Sequence, residues 1–421
     1  MFNAVSGLGA GGSMNDNTAL VDAANSALYA CFALVGFFAG SIINTMGINL
    51  TLTAGSIGYA IYAAALWVYD RKEVSGFVIA AGAILGCCAG IFWAAQGAIM
   101  MSYPEEKDKG KAVGIFWALF NVGGILGSLI TLGLNLQDPN ARGVSTGTYT
   151  AFVVIMLCGV VFSLILARPS KVMRPDGTPV AVAKSTHWLE ELKGVLHVWK
   201  EWRMVALIPA FLASNWFYAY QFHVNAVYFT APTRALNGLM YWLLQIFGSV
   251  GLGFLLDTQR MSRRKRGLVG LAVVFLIMMG VWAGGMAFQL TFDNDFKDPV
   301  YWTNTGFGGP FVLYILYGFT DSLYQSYLYW LMGAMSNDPA LLARYAGFYK
   351  AVQSAGAAIS FGIDAAGTPF KWECLICWLL LIVSFPCIFV VANKVTETSV
   401  TQDDNASLER KDISLSEKQP A

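Results

Sequence analysis

The segment GFTDSLYQSYLYW, Gly318–Trp330, puts an aspartate inside an apolar run, about 307–335, that is long enough to cross a bilayer. Tyr314, Tyr317, Asp321, Tyr324 and Gln325 recur three or four residues apart, so on a helix they share one side. A carboxylate at that depth is costly against lipid, so this side must face a cavity or a partner. The chemistry open to it is hydrogen bonding to a polar solute, or proton exchange as water gains and loses access. The run 344–365 carries a second stripe: Lys350, Gln353, Ser354, Ser360 and Asp364. Lys350 is the counter-charge in reach of Asp321. The two differ by about 10 Å in depth at the helical rise, so a water or tyrosine bridge is expected rather than a direct bond. In the run 204–229, Asn215, Tyr218, Phe222 and Asn225 share a face, with Gln221 and His223 beside it.

The candidate solute cavity and coupling set is therefore Asp321, Gln325, Tyr317, Tyr324, Asn215, Gln221, Asn225, Lys350 and Gln353. The lone amides Gln96, Asn121 and Gln245 are expected to bond between helices. Asp22 stands near the end of its apolar run and is expected to be hydrated.

Other chemistries lack their residues. There is no G-x-x-x-x-G-K-[ST] loop for ATP, and no HExxH or GxSxG. The three histidines, His187, His197 and His223, make no metal set. Of seven cysteines, Cys374 and Cys377 form a C-x-x-C without a partner pair, and the set reads as helix-packing thiols. No enzyme, cofactor or metal is expected. A net charge of +1 without a basic domain gives no nucleic-acid partner.

The elements that hold these residues are membrane helices. The chain is 56% hydrophobic and 13% charged, about half the charge of a soluble domain. Apolar runs of spanning length fall at roughly 20–43, 48–69, 76–101, 111–136, 149–168, 204–229, 234–257, 267–290, 307–335, 344–365 and 371–393. The opening MFNAVSGLGAGG is apolar but too short to span, and reads as the second half of a first helix. With that helix starting in the cytosol, about sixteen Lys and Arg fall on the cytosolic side against about six outside. The central loop and the C-terminus are then cytosolic, and the sequons at Asn49 and Asn405 go unused. The expected organisation is an N-terminal bundle at 1–168, a linker at 169–203, a C-terminal bundle at 204–394 and a disordered tail at 395–421. Within the linker, Trp188, Leu192, Val195, Trp199 and Trp202 make one apolar face, an amphipathic helix suited to the membrane surface.

The two bundles look duplicated. FFAGSIIN (Phe37–Asn44) aligns with VGLGFLLD (Val250–Asp257), and GIFWALFNVGG (Gly114–Gly124) aligns more loosely with GFYKAVQSAGA (Gly347–Ala357). Halves so related occur in transporters. Small-residue stripes at Gly36/Gly40 and Gly82/Gly86/Gly90 permit close helix approach.

The signatures Gly40…Asn44-x-x-Gly47 and Gly253…Asp257, the latter followed by Arg263 and Arg264, resemble the loop motif of the major facilitator superfamily. The N-terminal copy departs from it, with Asn44 for the aspartate and Ile48 and Asn49 for basic residues. The phrases NGLMYWLLQIFGSVGLGFLLD, SNWFYAYQF, YWLMGAMSN and RYAGFYKAVQSAGAAISFGID resemble the Unc-ninety-three-like branch, also called ion channel regulatory proteins. The resemblance implies an all-α fold of two pseudo-symmetric six-helix bundles. About eleven transmembrane helices would be complete and the first truncated. It implies that Gly40, Asn44, Gly47, Gly253, Asp257, Arg263 and Arg264 form a conformational latch. Two functions follow from it. One is secondary transport of a small solute by alternating access; the other is a non-transporting regulatory or escort subunit of a membrane channel or receptor.

Overall fold

The structure is a computed structural model describing residue 2 and residues 18–135, 146–166, 171–174, 177, 180, 188–294 and 296–398. The N-terminal apolar stretch apart from Phe2, most of the linker before Trp188, and the tail beyond 398 lie outside the described residues.

Among the described residues, five helices precede the linker from Thr18 onward: α1 (Thr18–Met46), α2 (Ile48–Lys72), α3 (Ser75–Ser102), α4 (Lys109–Asn135) and α5 (Thr146–Leu164). A short helix, α6 (Trp188–Val198), follows in the linker. Then come α7 (Trp202–Ala206), α8 (Ile208–Ala213), α9 (Phe217–Tyr228), α10 (Ala231–Leu256), α11 (Arg263–Gln289), α12 (Gly308–Met335), α13 (Pro339–Ala365) and α14 (Phe370–Ala392). Eight of the described helices are long and apolar enough to cross a membrane: α1 to α5, α10, α11 and α14. At 28 and 27 residues, α12 and α13 are as long. Their polar stripes keep them out of that set.

The expected single helix over 204–229 is instead broken into α7, α8 and α9. Pro209 lacks a backbone N–H and sits in the first turn of α8. After Ala213 the chain tightens. Trp216 N–H donates to the Ala213 carbonyl (3.2 Å), and Tyr218 N–H donates to that of Asn215 (3.3 Å). Ser214 Oγ donates to the Phe211 carbonyl at 2.8 Å, in competition with the backbone ladder. The break leaves Asn215 at mid-span, where its side chain can turn inward.

The helices before the linker pack among themselves through α1, α2, α3 and α5. Those after it pack around α12, whose residues from Thr320 to Met335 are all buried. Two long seams join the groups, α1 on α13 and α4 on α10. Both are built on missing side chains. A methyl at Gly40 would lie 2.8 Å from Arg344 Cα, and one at Gly347 2.8 Å from the Gly36 carbonyl oxygen. On the other seam, a methyl at Gly253 would meet the Gly110 carbonyl oxygen at 2.6 Å, and one at Gly114 the Ser249 oxygen at 3.1 Å. The sequence alignment equates Gly40 with Gly253, Gly36 with Ser249 and Gly347 with Gly114. The same positions therefore meet twice, once on each seam. The second predicted stripe holds α3 to α1: a methyl at Gly86 would lie 2.1 Å from the Leu28 carbonyl oxygen.

The amphipathic α6 spends its apolar edge on protein. It packs against α1 and α13, with Val195 and Val198 buried. Just past its end, the Trp199 ring meets Phe37 at 5.6 Å and Phe348 at 4.9 Å.

Candidate functional site

Asp321 is 1% exposed and holds three hydrogen bonds. Tyr218 Oη of α9 donates to Oδ2 at 2.7 Å, and Gln245 Nε2 of α10 donates to the same oxygen at 3.2 Å. Gln325 Nε2, one turn along α12, donates to Oδ1 at 2.6 Å. These charge-assisted bonds are what allow an ion to sit at this depth. Lys350 does not pair with Asp321 directly. Its Nζ donates to Gln353 Oε1 at 2.7 Å, and Gln353 Nε2 donates to Gln325 Oε1 at 2.9 Å. Two glutamines in series thus bridge the charges, in place of the expected water or tyrosine alone. Tyr349 braces the bridge: it accepts from Gln353 at 3.0 Å and donates to Gln325 at 3.3 Å. The broken helix is tied in as well, since Gln353 donates to Ser214 Oγ (2.9 Å) and Gln325 to Asn215 Oδ1 (3.3 Å).

Lys350 faces across the molecule. Its ammonium lies 4.8 Å from the Trp93 ring of α3, 5.1 Å from Tyr349 and 5.4 Å from Tyr329, all within cation–π range. Trp93 Nε1 in turn donates to Tyr59 Oη at 2.7 Å. Here the two groups of helices enclose a cavity of about 50 Å³, room for a few waters. One wall carries Asn215, Tyr218, Gln325, Lys350 and Gln353; the other carries Leu28, Phe32, Trp93, Trp117 and Phe120. An adjoining cavity of about 430 Å³ shares Trp93 and Phe120 and reaches Gln96, Asn121 and Trp242.

Four of the nine candidates therefore line the cavity: Asn215, Gln325, Lys350 and Gln353. Asp321 stands behind that wall, screened by Gln325 and Tyr218. Gln221 and Asn225 fasten α9 to α10, accepting from Tyr241 Oη and Asn237 Nδ2, each at 2.9 Å. Tyr324 Oη donates to Ser384 Oγ of α14 at 2.7 Å, and Tyr317 packs on Trp282 with ring centres 5.0 Å apart. Both point away from the cavity because α12 is buried on every side. Consecutive residues diverge by about 100°, so Tyr324 and Gln325 face different neighbours. Gln245 bonds between helices as expected. Gln96 reaches only Met100 Sδ (3.7 Å) on its own helix, and the fully buried Asn121 amide has no hydrogen-bond partner. The aromatic wall escaped the sequence reading because Trp93 and Tyr59 stand in apolar runs with no polar pattern to mark them.

The residues expected to form a latch lie at the far end of the seams. Asp257 caps α4, accepting from Gly110 N (2.9 Å) and Lys111 N (2.6 Å). A carboxylate on a helix N-terminus meets free N–H groups and the positive end of the dipole. Burial raises the Asp257 pKa above the ordinary carboxylate value, while these two N–H groups pull it back. Arg263 is 2% exposed and pairs with Glu106 just ahead of α4. Arg264 instead meets Asn393 Oδ1 at the end of α14. Lys109, the first residue of α4, caps α12. Its ammonium donates to the carbonyls of Gly333 (2.6 Å) and Ser336 (2.9 Å) and to Asn337 Oδ1 (2.7 Å). On the other seam, Gly40 lies on the α13 backbone and Asn44 is buried. Gly47 opens α2 at φ +82°, a conformation that favours glycine.

Comparison with known proteins agrees with this architecture. The family model described as Major Facilitator Superfamily matches residues 7–401. UNC93-like protein C922.05c of Schizosaccharomyces pombe is 43% identical over 94% of this chain and 80% of its own. UNC93-like protein 1 of Arabidopsis thaliana is 39% identical over 96% of this chain and 89% of its own. Among solved structures, the proton:xylose symporter XylE bound to 6-bromo-6-deoxy-D-glucose superimposes with a TM-score of 0.64. The match covers 94% of this chain and 90% of that one at 12% identity, so the likeness is one of fold. The chain is a multi-pass membrane protein and belongs to the Major Facilitator Superfamily, within its UNC93-like branch.

Proposed function

We propose that this protein is a secondary transporter that binds a small polar solute between its two helix bundles and exposes it to each side in turn. The observation that carries this reading is the cavity with one amide-and-lysine wall and one aromatic wall, because each wall comes from a different bundle. Parting of the bundles would widen it. Lys350 would then exchange Gln353 for an acceptor group on the solute, and Trp93 and Phe120 would cover the solute's apolar part. The two halves, 1–168 and 204–394, rock on the glycine seams, the linker 169–203 straps them, and 395–421 is a tail. In this reading the Asp257 end faces the cytosol, in keeping with the excess of Lys and Arg in the loops on that side. Asp321 is the proton-coupling group, reached when Gln325 turns away.

The test is thermal stability of the purified protein against a library of small solutes, beside Lys350→Met. A solute at a hundredfold its dissociation constant adds about 2.7 kcal/mol. A shift present in the wild type and lost in the variant supports the solute site. The coupling role fails if uptake by Asp321→Asn keeps its proton dependence. The second reading, a regulatory or escort subunit, has its own support. Asp321 is fully satisfied by donors, as a purely structural ion would be. Absence of any solute shift, with retention of a membrane-protein partner, favours it.

A further inference from the structure

A second charged cluster lies at the opposite end of α1 from the latch. Asp22 and Asn44 are separated by about 33 Å at 1.5 Å per residue. Asp22 of α1, His223 of α9 and Asp364 in the last turn of α13 each offer a ligand atom, and these atoms all lie within 4.8 Å of one another. His223 Nδ1 is 2.5 Å from Asp364 Oδ1. Asp22, expected to be hydrated, is buried against the α1–α13 seam. That seam is closed here by Ser26 Oγ donating to the Ala358 carbonyl at 3.0 Å and by Tyr29 stacked on Phe361. His223 belongs to no set of histidines. What it joins is a mixed set of imidazole and carboxylates.

Independent of that trio, Glu373 in the first turn of α14 is 4% exposed, and neither of its carboxylate oxygens has a hydrogen-bond partner. The second oxygen of Asp364 also has none. Asp364 and Asp22 lie near enough for their charges to act on Glu373. Buried acceptor oxygens without donors are unfavourable, and several carboxylates gathered around one imidazole leave the cluster short of positive charge.

We propose that Asp22, His223 and Asp364 form a binding site for a divalent transition cation of the zinc or manganese class, held between the two bundles. An imidazole nitrogen among carboxylates suits such ions better than the oxygen-seeking magnesium or calcium. Two carboxylates with a neutral imidazole carry two negative charges, which one divalent ion neutralises. Tetrahedral ligands about 2.0–2.2 Å from one ion lie about 3.3–3.6 Å apart, so on binding the trio closes by about 1 Å at its widest and the His223–Asp364 pair opens to admit the ion. Glu373 is the outer carboxylate that draws the cation in. Because Asp22 comes from one bundle and the other two ligands from the other, the ion clamps this end shut and favours the conformer in which it is closed.

The experiment uses the full chain, purified, stripped with chelator and titrated with Zn2+ and with Mn2+ by calorimetry and by thermal unfolding. The expected result is saturable one-to-one binding that raises the melting temperature, weakened at least tenfold in Asp22→Asn and in His223→Gln. No saturable binding of either ion overturns the proposal, as does binding that both variants retain. Should a variant fail to fold, Co2+ bound to the wild type decides. Intense visible bands of a low-coordinate site support the proposal, and the weak spectrum of the aqueous ion overturns it. The probe is the metal alone, so the result does not depend on whether a solute is ever found.

Discussion

The two helix bundles meet the same cavity with opposite chemistry. The N-terminal side presents Phe32, Trp93, Trp117 and Phe120; the C-terminal side presents Asn215, Gln325, Lys350 and Gln353. Their loop motifs differ in the same sense. Asp257 grips the backbone of α4 with a full charge, whereas Asn44 has none to use. The duplicated backbone has kept its glycine contacts on both seams while the polar work has gathered in one half. The shared frame is a matter of close helix approach, and the chemistry is laid on one side of it.

The sharpest way to break this contrast is to remove the polar half's ion. Asp321→Ala leaves the donors of Tyr218, Gln245 and Gln325 facing a void, and should cost about 3–5 kcal/mol of stability in thermal unfolding. Trp93→Ala on the opposite wall should cost less than that, and equal losses would erase the distinction between the halves. Next in size is Asp257→Ala, which deprives two N–H groups of a charged acceptor and should cost about 2–3 kcal/mol. The same change should raise cysteine-labelling rates at positions introduced along the α4–α10 seam. Trp93→Leu removes one face of the Lys350 cage and should cost about 0.5–2 kcal/mol, read in a cycle with Lys350→Met so that packing losses cancel. Smallest is Asn44→Ala, which removes the uncharged amide from the weak copy of the motif. The loss should be about 0.5–1.5 kcal/mol, the scale of a neutral hydrogen bond. A loss as large as that from Asp257→Ala would mean that Asn44 already serves as an equal latch.

Much of the frame was readable because it is local. Small residues four apart mark a close helix contact whatever the partner, and the segments aligned between the halves are the ones that the packing brings onto both seams. The site was readable in part. Asp321, Gln325, Lys350 and Gln353 stood out as polar residues in apolar runs, and they do form one connected chain. Tyr317 and Tyr324 were misplaced because period alone assigns an arc, and on a helix buried all round the two edges of that arc meet different neighbours. The break at Ser214 was invisible to hydropathy, since SNWF continues an apolar run without a glycine. Trp93 and Tyr59 carry no polarity signal. Lys109 looks like any loop lysine until α12 ends beside it. Asp22, His223, Asp364 and Glu373 are far apart in the chain, and only the packing of α1, α9, α13 and α14 makes them neighbours.

An amide is a directional link, donating at its nitrogen and accepting at its oxygen. In the bridge from Lys350 to Asp321 both glutamines point the same way, so the chain has a head and a tail like a row of arrows. Its order depends on a donor at one end and an acceptor at the other. A solute that takes the lysine, or a proton that reaches the aspartate, removes one terminus and leaves the adjoining amide facing the wrong way. The least costly repair is for that glutamine to turn over, and its turning makes the same demand on the next. Information about charge at one end would pass to the other as a reversal of orientation, with no ion moving between them.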